Sequence, residues 1–141
     1  MPGTGRVFSV SLVTPDGAAF EGEAEMIVVP GAAGEIGVLA RHAPLIATLK
    51  AGSTRVHVSS SEIIEYATGP GFFQVLQDRA IALVDGAVKA DEIDDAKARE
   101  LLESSQKELE AIERGESSAD RWQVEQRIRY AENQLTVSGR G

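Results

Sequence analysis

Up to about residue 88 the apolar and polar positions of this chain repeat every two residues, and beyond it they repeat at helical spacing. Residues 7–13 alternate. Residues 54–58 do so cleanly, with Val56 and Val58 on one face and Arg55 and His57 on the other, and residues 23–30 only loosely. Residues 63–68, 72–76 and 80–84 are further β-rich runs between glycine and proline punctuation. A period of two marks half-buried strands. Many short strands with frequent turns predict a sandwich or barrel, and there are too few long helical segments here for βαβ units. Thr14-Pro15-Asp16-Gly17 predicts a tight turn and Gln77-Asp78-Arg79 a hairpin connection.

The period changes at Asp91. Asp91-Glu92-Ile93-Asp94-Asp95 places acids in a first helical turn, where they suit the helix dipole. Ala98, Leu101, Leu102, Leu109 and Ile112 follow at helical spacing. Gly115-Glu116-Ser117-Ser118 breaks the helix and offers Ser118 as the N-cap of a second one, in which Val124, Ile128, Ala131 and Leu135 form an apolar stripe. Two amphipathic helices joined by four residues predict an antiparallel hairpin. Their apolar faces are narrow, so the hairpin must lean on itself and on the sheet, an arrangement able to open. The expected fold is mainly β plus α, with a β-sandwich over residues 1–88 and a helical hairpin over residues 89–141.

Within the β half lies a stretch with its own character, Gly31 to Leu45. Three glycines spaced by three and then His42-Ala43-Pro44 are not the signature of a helix or a plain hairpin. Pro44 biases Ala43 towards an extended conformation. The stretch predicts a shaped loop carried on the sheet, displaying Glu35 and His42, and such loops usually touch a partner.

Composition narrows the possible partners. The net charge of −8 is spread along the chain: 5 basic and 9 acidic residues precede Lys89, and 9 and 13 make up the rest. Neither part offers the basic field that nucleic acid requires. There are no cysteines, which excludes disulfides and thiolate metal sites. No run approaches the roughly 20 apolar residues of a membrane span. The Met1-Pro2-Gly3-Thr4-Gly5 start carries no signal or transit pattern, so the chain is expected to be soluble, meeting a membrane only through a partner.

Catalytic readings find little support. Gly31, Gly34 and Gly37 resemble a dinucleotide loop only superficially, because that fingerprint needs a long helix after it and Pro44 intervenes. No phosphate-binding GxxxxGK[ST] occurs. The two histidines, His42 and His57, have no carboxylates at metal-ligand spacing. His57 reads as an ordinary residue of a polar strand face, and His42 as a turn residue bonding the backbone or as a contact residue. Ser59-Ser60-Ser61 is a turn. No nucleophile–base constellation is present. Glu35 reads equally as an exposed loop acid or a contact. Arg114, Arg121, Arg127 and Arg129 read either as a solvated helix face or as a basic edge for an acidic partner.

The ordered motifs carry a resemblance. Thr14-Pro15-Asp16-Gly17 with Phe20-Glu21-Gly22, Val28-Val29-Pro30-Gly31, Gly34-Glu35-Ile36-Gly37-Val38-Leu39 and His42-Ala43-Pro44-Leu45 together resemble the epsilon subunit of F-type ATP synthases. Gly71-Phe72-Phe73-Gln74-Val75, Ile81-Ala82-Leu83-Val84 and Ile93-Asp94 with Ala98 continue it, so the resemblance spans residues 6–137. It implies a flattened sandwich of about ten strands and a two-helix C-terminal domain. It further implies a non-catalytic rotor subunit that clamps the gamma subunit to the ring of c subunits and couples proton flow to ATP synthesis. Gly34, Glu35, Ile36, Gly37 and His42 are carried over as ring-facing positions, a carboxylate suiting an arginine on the ring. In an extended state the helices meet the catalytic beta subunits and brake hydrolysis, with Arg121, Arg127 and Arg129 as the inhibitory cations. Some members bind ATP in the hairpin through an I/L-D-x-x-R-A motif. Here Asp94 remains, but Lys97 replaces the arginine, and a point charge does not repeat a guanidinium fork. The second-helix arginines of that site align with Tyr130 and Gln134, so ATP binding is expected to be weak or absent and no cofactor is assigned. The implied location is the cytoplasmic face of a bacterial plasma membrane, held there by the complex. The alternative is a free-standing module that grips a partner with a mobile hairpin.

Overall fold

Alternation decides which side of each strand meets the core. In the computed structural model, which describes residues 5–140, ten strands precede two helices. They are β1 (Phe8–Thr14), β2 (Gly17–Ala24), β3 (Met26–Gly31), β4 (Gly34–Leu39), β5 (Leu45–Leu49), β6 (Gly52–Ser59), β7 (Glu62–Thr68), β8 (Gly71–Leu76), β9 (Arg79–Val84) and β10 (Ala87–Lys89). A 3-10 turn, Ala90–Glu92, leads to α1 (Asp95–Glu113) and α2 (Arg121–Arg140). Met1–Thr4, the head of the segment read for a signal pattern, lie outside the described residues.

Hydrogen bonding runs β10-β7-β6-β3-β5-β8-β9-β1-β2, with β4 on the other edge of β3. The path turns over where β3 passes from β6 to β5 through the pair Gly31↔Leu49, giving two facing layers. Phe8, Val10 and Leu12 of β1, Ile27 and Val29 of β3, Val56 of β6 and Phe73 and Val75 of β8 fill the space between them. The Tyr66 hydroxyl of β7 donates to the Ala19 carbonyl of β2 at 3.3 Å and ties the layers together. Among the described residues all pairs are antiparallel except β1 with β9, which are parallel from Ser9↔Arg79 to Val13↔Leu83.

The sandwich is as expected, but the strand pattern misses several of its elements. The stretch after Val29 is a plain hairpin after all: β3 and β4 pair from Met26↔Leu39 to Gly31↔Gly34 around a two-residue Ala32-Ala33 turn. Gly34, at φ +143°, takes the conformation that the turn requires and that side chains resist. β2 escapes the pattern because it is an edge strand with nearly every residue exposed. β5 escapes it because its outward residue Ile46 is apolar. The Gln77-Asp78 turn joins β8 to β9 as expected, both residues having positive φ in the manner of a type I′ hairpin.

The helix boundaries also differ from the expectation. The acids from Asp91 fall on the 3-10 turn and its exit, and α1 starts at Asp95 with Asp94 as its cap, accepting from the Lys97 N–H at 3.2 Å. Gly115, at φ +75°, ends α1 in a Schellman motif: its N–H reaches the Ile112 carbonyl at 3.0 Å and that of Glu116 the Ala111 carbonyl at 2.8 Å. Ser118 is not the cap of α2. Asp120 is, accepting from the Gln123 N–H at 3.2 Å, while the Ser117 hydroxyl accepts from Ala119 within the connection. A carboxylate in that place also suits the helix dipole better than a hydroxyl does.

α2 lies between the sheet and α1, which packs chiefly on α2. Gln126, Tyr130 and Asn133 form one helical stripe that meets the sheet. The Val124-Ile128-Ala131-Leu135 stripe lies on the opposite side, towards α1. The seat on the sheet therefore includes three polar side chains.

Candidate functional site

Among the described residues β4 pairs only with β3, which leaves its outer edge unpaired by any of them. Glu35 is its second residue, exposed beside the Ala32-Ala33 turn. A hollow of about 460 Å³ opens there, lined by Ala32, Gly34, Glu35, Ile36, Ala47 and Thr48. The Glu35 carboxylate is held by both terminal nitrogens of Arg55 from β6, at 3.2 and 3.3 Å. Arg55, Val28 and Gly37 are cross-strand neighbours, so the guanidinium reaches Glu35 over a row in which Gly37 contributes no side chain. Both partners are open to water, and a pair of this kind contributes only about 0–1 kcal/mol. It orients the carboxylate without committing it. Burial and then the nearby Arg55 charge lower the pKa of His57 on the same strand, favouring the neutral imidazole.

His42 is not beside Glu35. It lies three residues past the far end of β4, roughly 20 Å along the chain from Glu35 at strand rise. Its Nδ1 is 2.7 Å from the Ala43 carbonyl. The loop around it is anchored by the Arg41 N–H, which donates to the Asp78 carboxylate of the β8–β9 turn. Arg41 itself has φ +65°. Gly34, Glu35, Ile36 and Gly37 are thus brought together, and His42 marks the other end of the same edge.

Two of the three helix cations are engaged within the hairpin. Arg121 bridges Glu113 at 3.1 Å and Glu125 at 3.2 Å, and Arg127 meets Glu108 at 3.4 Å. Arg129 is exposed at a groove edge with Leu109, Ile128 and Glu132. Asp94 serves as a helix cap toward the Lys97 backbone. At the positions aligned with second-helix arginines, Tyr130 packs against Gly86 and Gln134 is buried. Among the described residues no group of three or more His, Asp or Glu side chains is placed to hold a metal ion.

The sequence reading missed one surface. On the outer face of β5, β8 and β9, Ile46 is 78% exposed, Phe72 62% and Leu83 51%. Register places Thr48, Phe72 and Leu83 in one cross-strand row and Ile46, Gln74 and Ile81 in the next. An apolar face this open on a sheet marks a place where another surface docks. The available signal was Phe72-Phe73: in a strand one of two adjacent phenylalanines must point outward.

Residues 7–90 match the family profile described as ATP synthase, Delta/Epsilon chain, beta-sandwich domain. The chain is 35% identical over 143 residues to an ATP synthase epsilon chain of Rubrobacter xylanophilus, covering 99% of this chain and 97% of that one. It is 38% identical over 131 residues to the ATP synthase epsilon chain of Dichelobacter nodosus, covering 92% and 90%. In fold it is similar to a chain in the cryo-EM structure of the Euglena gracilis mitochondrial ATP synthase, OSCP/F1/c-ring in rotational state 1. That match has a TM-score of 0.74 at 23% identity and covers 95% of this chain and 84% of the other.

Proposed function

The chain belongs to the ATP synthase delta/epsilon chain family, and we propose on that footing that it is a non-catalytic central-stalk subunit, coupling proton flow through the c-ring to ATP synthesis. Similarity over nearly the full length of named epsilon chains carries this reading. The outward apolar face of β5, β8 and β9, with Phe72 and Leu83, is assigned to the gamma subunit, since an obligate partner is what keeps such a face from water. The unpaired edge of β4 is assigned to the ring. A ring contact that takes in both Glu35 and His42 runs along this edge, with Gly34, Ile36 and Gly37 at the Glu35 end. Arg55 holds the carboxylate ready for exchange to an arginine of the ring.

Residues beyond Lys89 are assigned a regulatory part. Arg121, Arg127 and Arg129 are the cations offered to the catalytic beta subunits when the helices extend. The intrahelical and interhelical glutamates that hold Arg121 and Arg127 in the docked hairpin are then exchanged for acids of the head. Removal of the residues after Val88 is expected to raise ATP hydrolysis by the complex, and an unchanged rate would refute the brake. No helix among the described residues is long and apolar enough to cross a membrane. The subunit is assigned to the cytoplasmic face of a bacterial plasma membrane on the strength of its family, held there by its complex.

The direct test is pull-down of the tagged chain from its host's membranes with ATPase assayed on the eluate. An ATP-hydrolysing assembly containing gamma and c subunits is expected. A clean monomer, under conditions that keep the synthase intact, would favour a free-standing binding module.

A further inference from the structure

The two-residue link between β5 and β6, Lys50-Ala51, is gripped from two sides, and Gly52 begins β6 directly after it. From β3, the Pro30 carbonyl accepts from the Lys50 N–H at 3.0 Å. The Pro30 ring lies so close over Gly52 that a Cβ there would stand 2.9 Å from the Pro30 Cβ. From α2, the Gln126 side-chain oxygen accepts from the Ala51 N–H at 2.9 Å, and both residues are buried. A buried N–H without a partner is costly, and here the partner comes from a side chain 75 residues away rather than from a sheet ladder. Just beyond Pro30, the Ala32 N–H donates to the Thr48 carbonyl at 2.9 Å. The turn that precedes Glu35 is therefore fastened to the strand that runs into the same link.

We infer that Gln126 couples the seating of α2 to the Gly31–Gly34 turn, the helix pinning the link through Ala51 and the link pinning Pro30 and the turn. Two other sheet contacts of α2 fall outside the link. Asn133 donates to the Ser53 hydroxyl at 3.0 Å, and Tyr130 sits against Gly86, where a Cβ would be 3.1 Å from its hydroxyl oxygen. When α2 departs, Ala51 loses its acceptor and the link is held from one side only. The coupling is a property of the isolated chain. Its consequence, that the position of the helices is felt at the edge carrying Glu35, rests on the ring assignment above.

Residue-resolved amide hydrogen exchange on the isolated full chain tests the coupling. Gln126→Met keeps the length and bulk of the side chain but removes a strong acceptor, whereas Gln126→Glu keeps one. Exchange at Ala51, Lys50 and Ala32 is expected to rise roughly tenfold in Gln126→Met, to stay unchanged at Leu83, and to return to the original rates in Gln126→Glu. A rise at Ala51 alone overturns the coupling, as does no rise at all, or a uniform rise that includes Leu83. Native-state exchange of the unsubstituted chain in low denaturant gives a reading that needs no variant. Ala51, Lys50 and Ala32 are expected to share one opening with the amides of α2, and opening of α2 with Ala32 still protected overturns the inference. Neither readout involves the ring, so failure here leaves the stalk assignment standing, and failure of the pull-down leaves the coupling standing.

Discussion

Phe72 and Phe73 are adjacent in sequence and do opposite work. Phe73 is fully buried between the layers, and Phe72 is 62% exposed on the outer face of β8. Phe73→Ala opens a cavity in a close-packed core and should cost about 3–5 kcal/mol of stability, a large share of the roughly 5–15 kcal/mol that holds a domain. Phe72→Ala removes only an exposed ring and its cross-strand contacts with Thr48 and Leu83, worth about 0.2–1 kcal/mol. Docked on gamma, the balance reverses. An aromatic side chain buries about 200 Å², so the exposed 62% of Phe72 offers roughly 125 Å² to a partner. At about 25 cal/mol per Å² that is close to 3 kcal/mol, an upper bound of roughly 100-fold in affinity. The assay pairs urea unfolding of each variant with its affinity for a gamma-containing complex stripped of this subunit. The expected pattern is nearly unchanged unfolding and weakened binding for Phe72→Ala, with the urea midpoint sharply lowered in Phe73→Ala. Affinity of Phe72→Ala within twofold of the original chain would remove this face from the interface.

Further outcomes follow from the same geometry. Glu35→Lys sets two cations side by side at Arg55 and inverts the charge offered to the ring, so coupling of proton flow to ATP turnover should weaken; unaltered proton pumping by membranes carrying the variant would rule this out. Millimolar ATP should leave the amide spectrum of the isolated chain unmoved, because Asp94 is a helix cap and Lys97 lacks a guanidinium fork; shifts centred on Asp94 and Lys97 would overturn that expectation. The imidazole of His57 is held below its ordinary 6.5 by burial and then by Arg55. The unfolded chain therefore takes up that proton first, and stability is lost as the pH falls from 6.5 toward the lowered folded-state value. His57→Gln should lose less stability between pH 7.5 and 5 than the original chain, and parallel urea-midpoint curves would refute the assignment.

Much of the fold was legible in the sequence because burial imposes a period. β1, β6, β8 and β9 each bury alternate residues, and that rhythm survives in the chain. β2 has no such rhythm because almost all of it faces water, and in β5 the exposed Ile46 serves a surface other than the core. The β3–β4 hairpin was obscured by its glycines, which suggested an irregular loop although Gly31 and Gly34 close a two-residue turn. The helices were visible from their apolar stripe, which faces α1. The seat of α2 on the sheet was not, because Gln126, Tyr130 and Asn133 look like solvated residues until Ala51 and Ser53 are placed opposite them. Glu35 stood out as a lone acid among glycines, but its grip by Arg55 depends on a cross-strand register that no local pattern encodes. The same limit hid the separation of Glu35 from His42.

The one parallel pairing has a bearing on how the chain comes to be folded. Ser9 meets Arg79, 70 residues later, and closing a loop of that length costs roughly 4 kcal/mol of chain entropy before any contact repays it. During synthesis the β1–β9 pair has to wait for β9, so this part of the sheet closes late. The helices are made last of all. On the sheet, the Ala51 N–H and the Ser53 hydroxyl are points at which α2 docks. A chain built in that order has its helices on a surface that does not depend on them for its core.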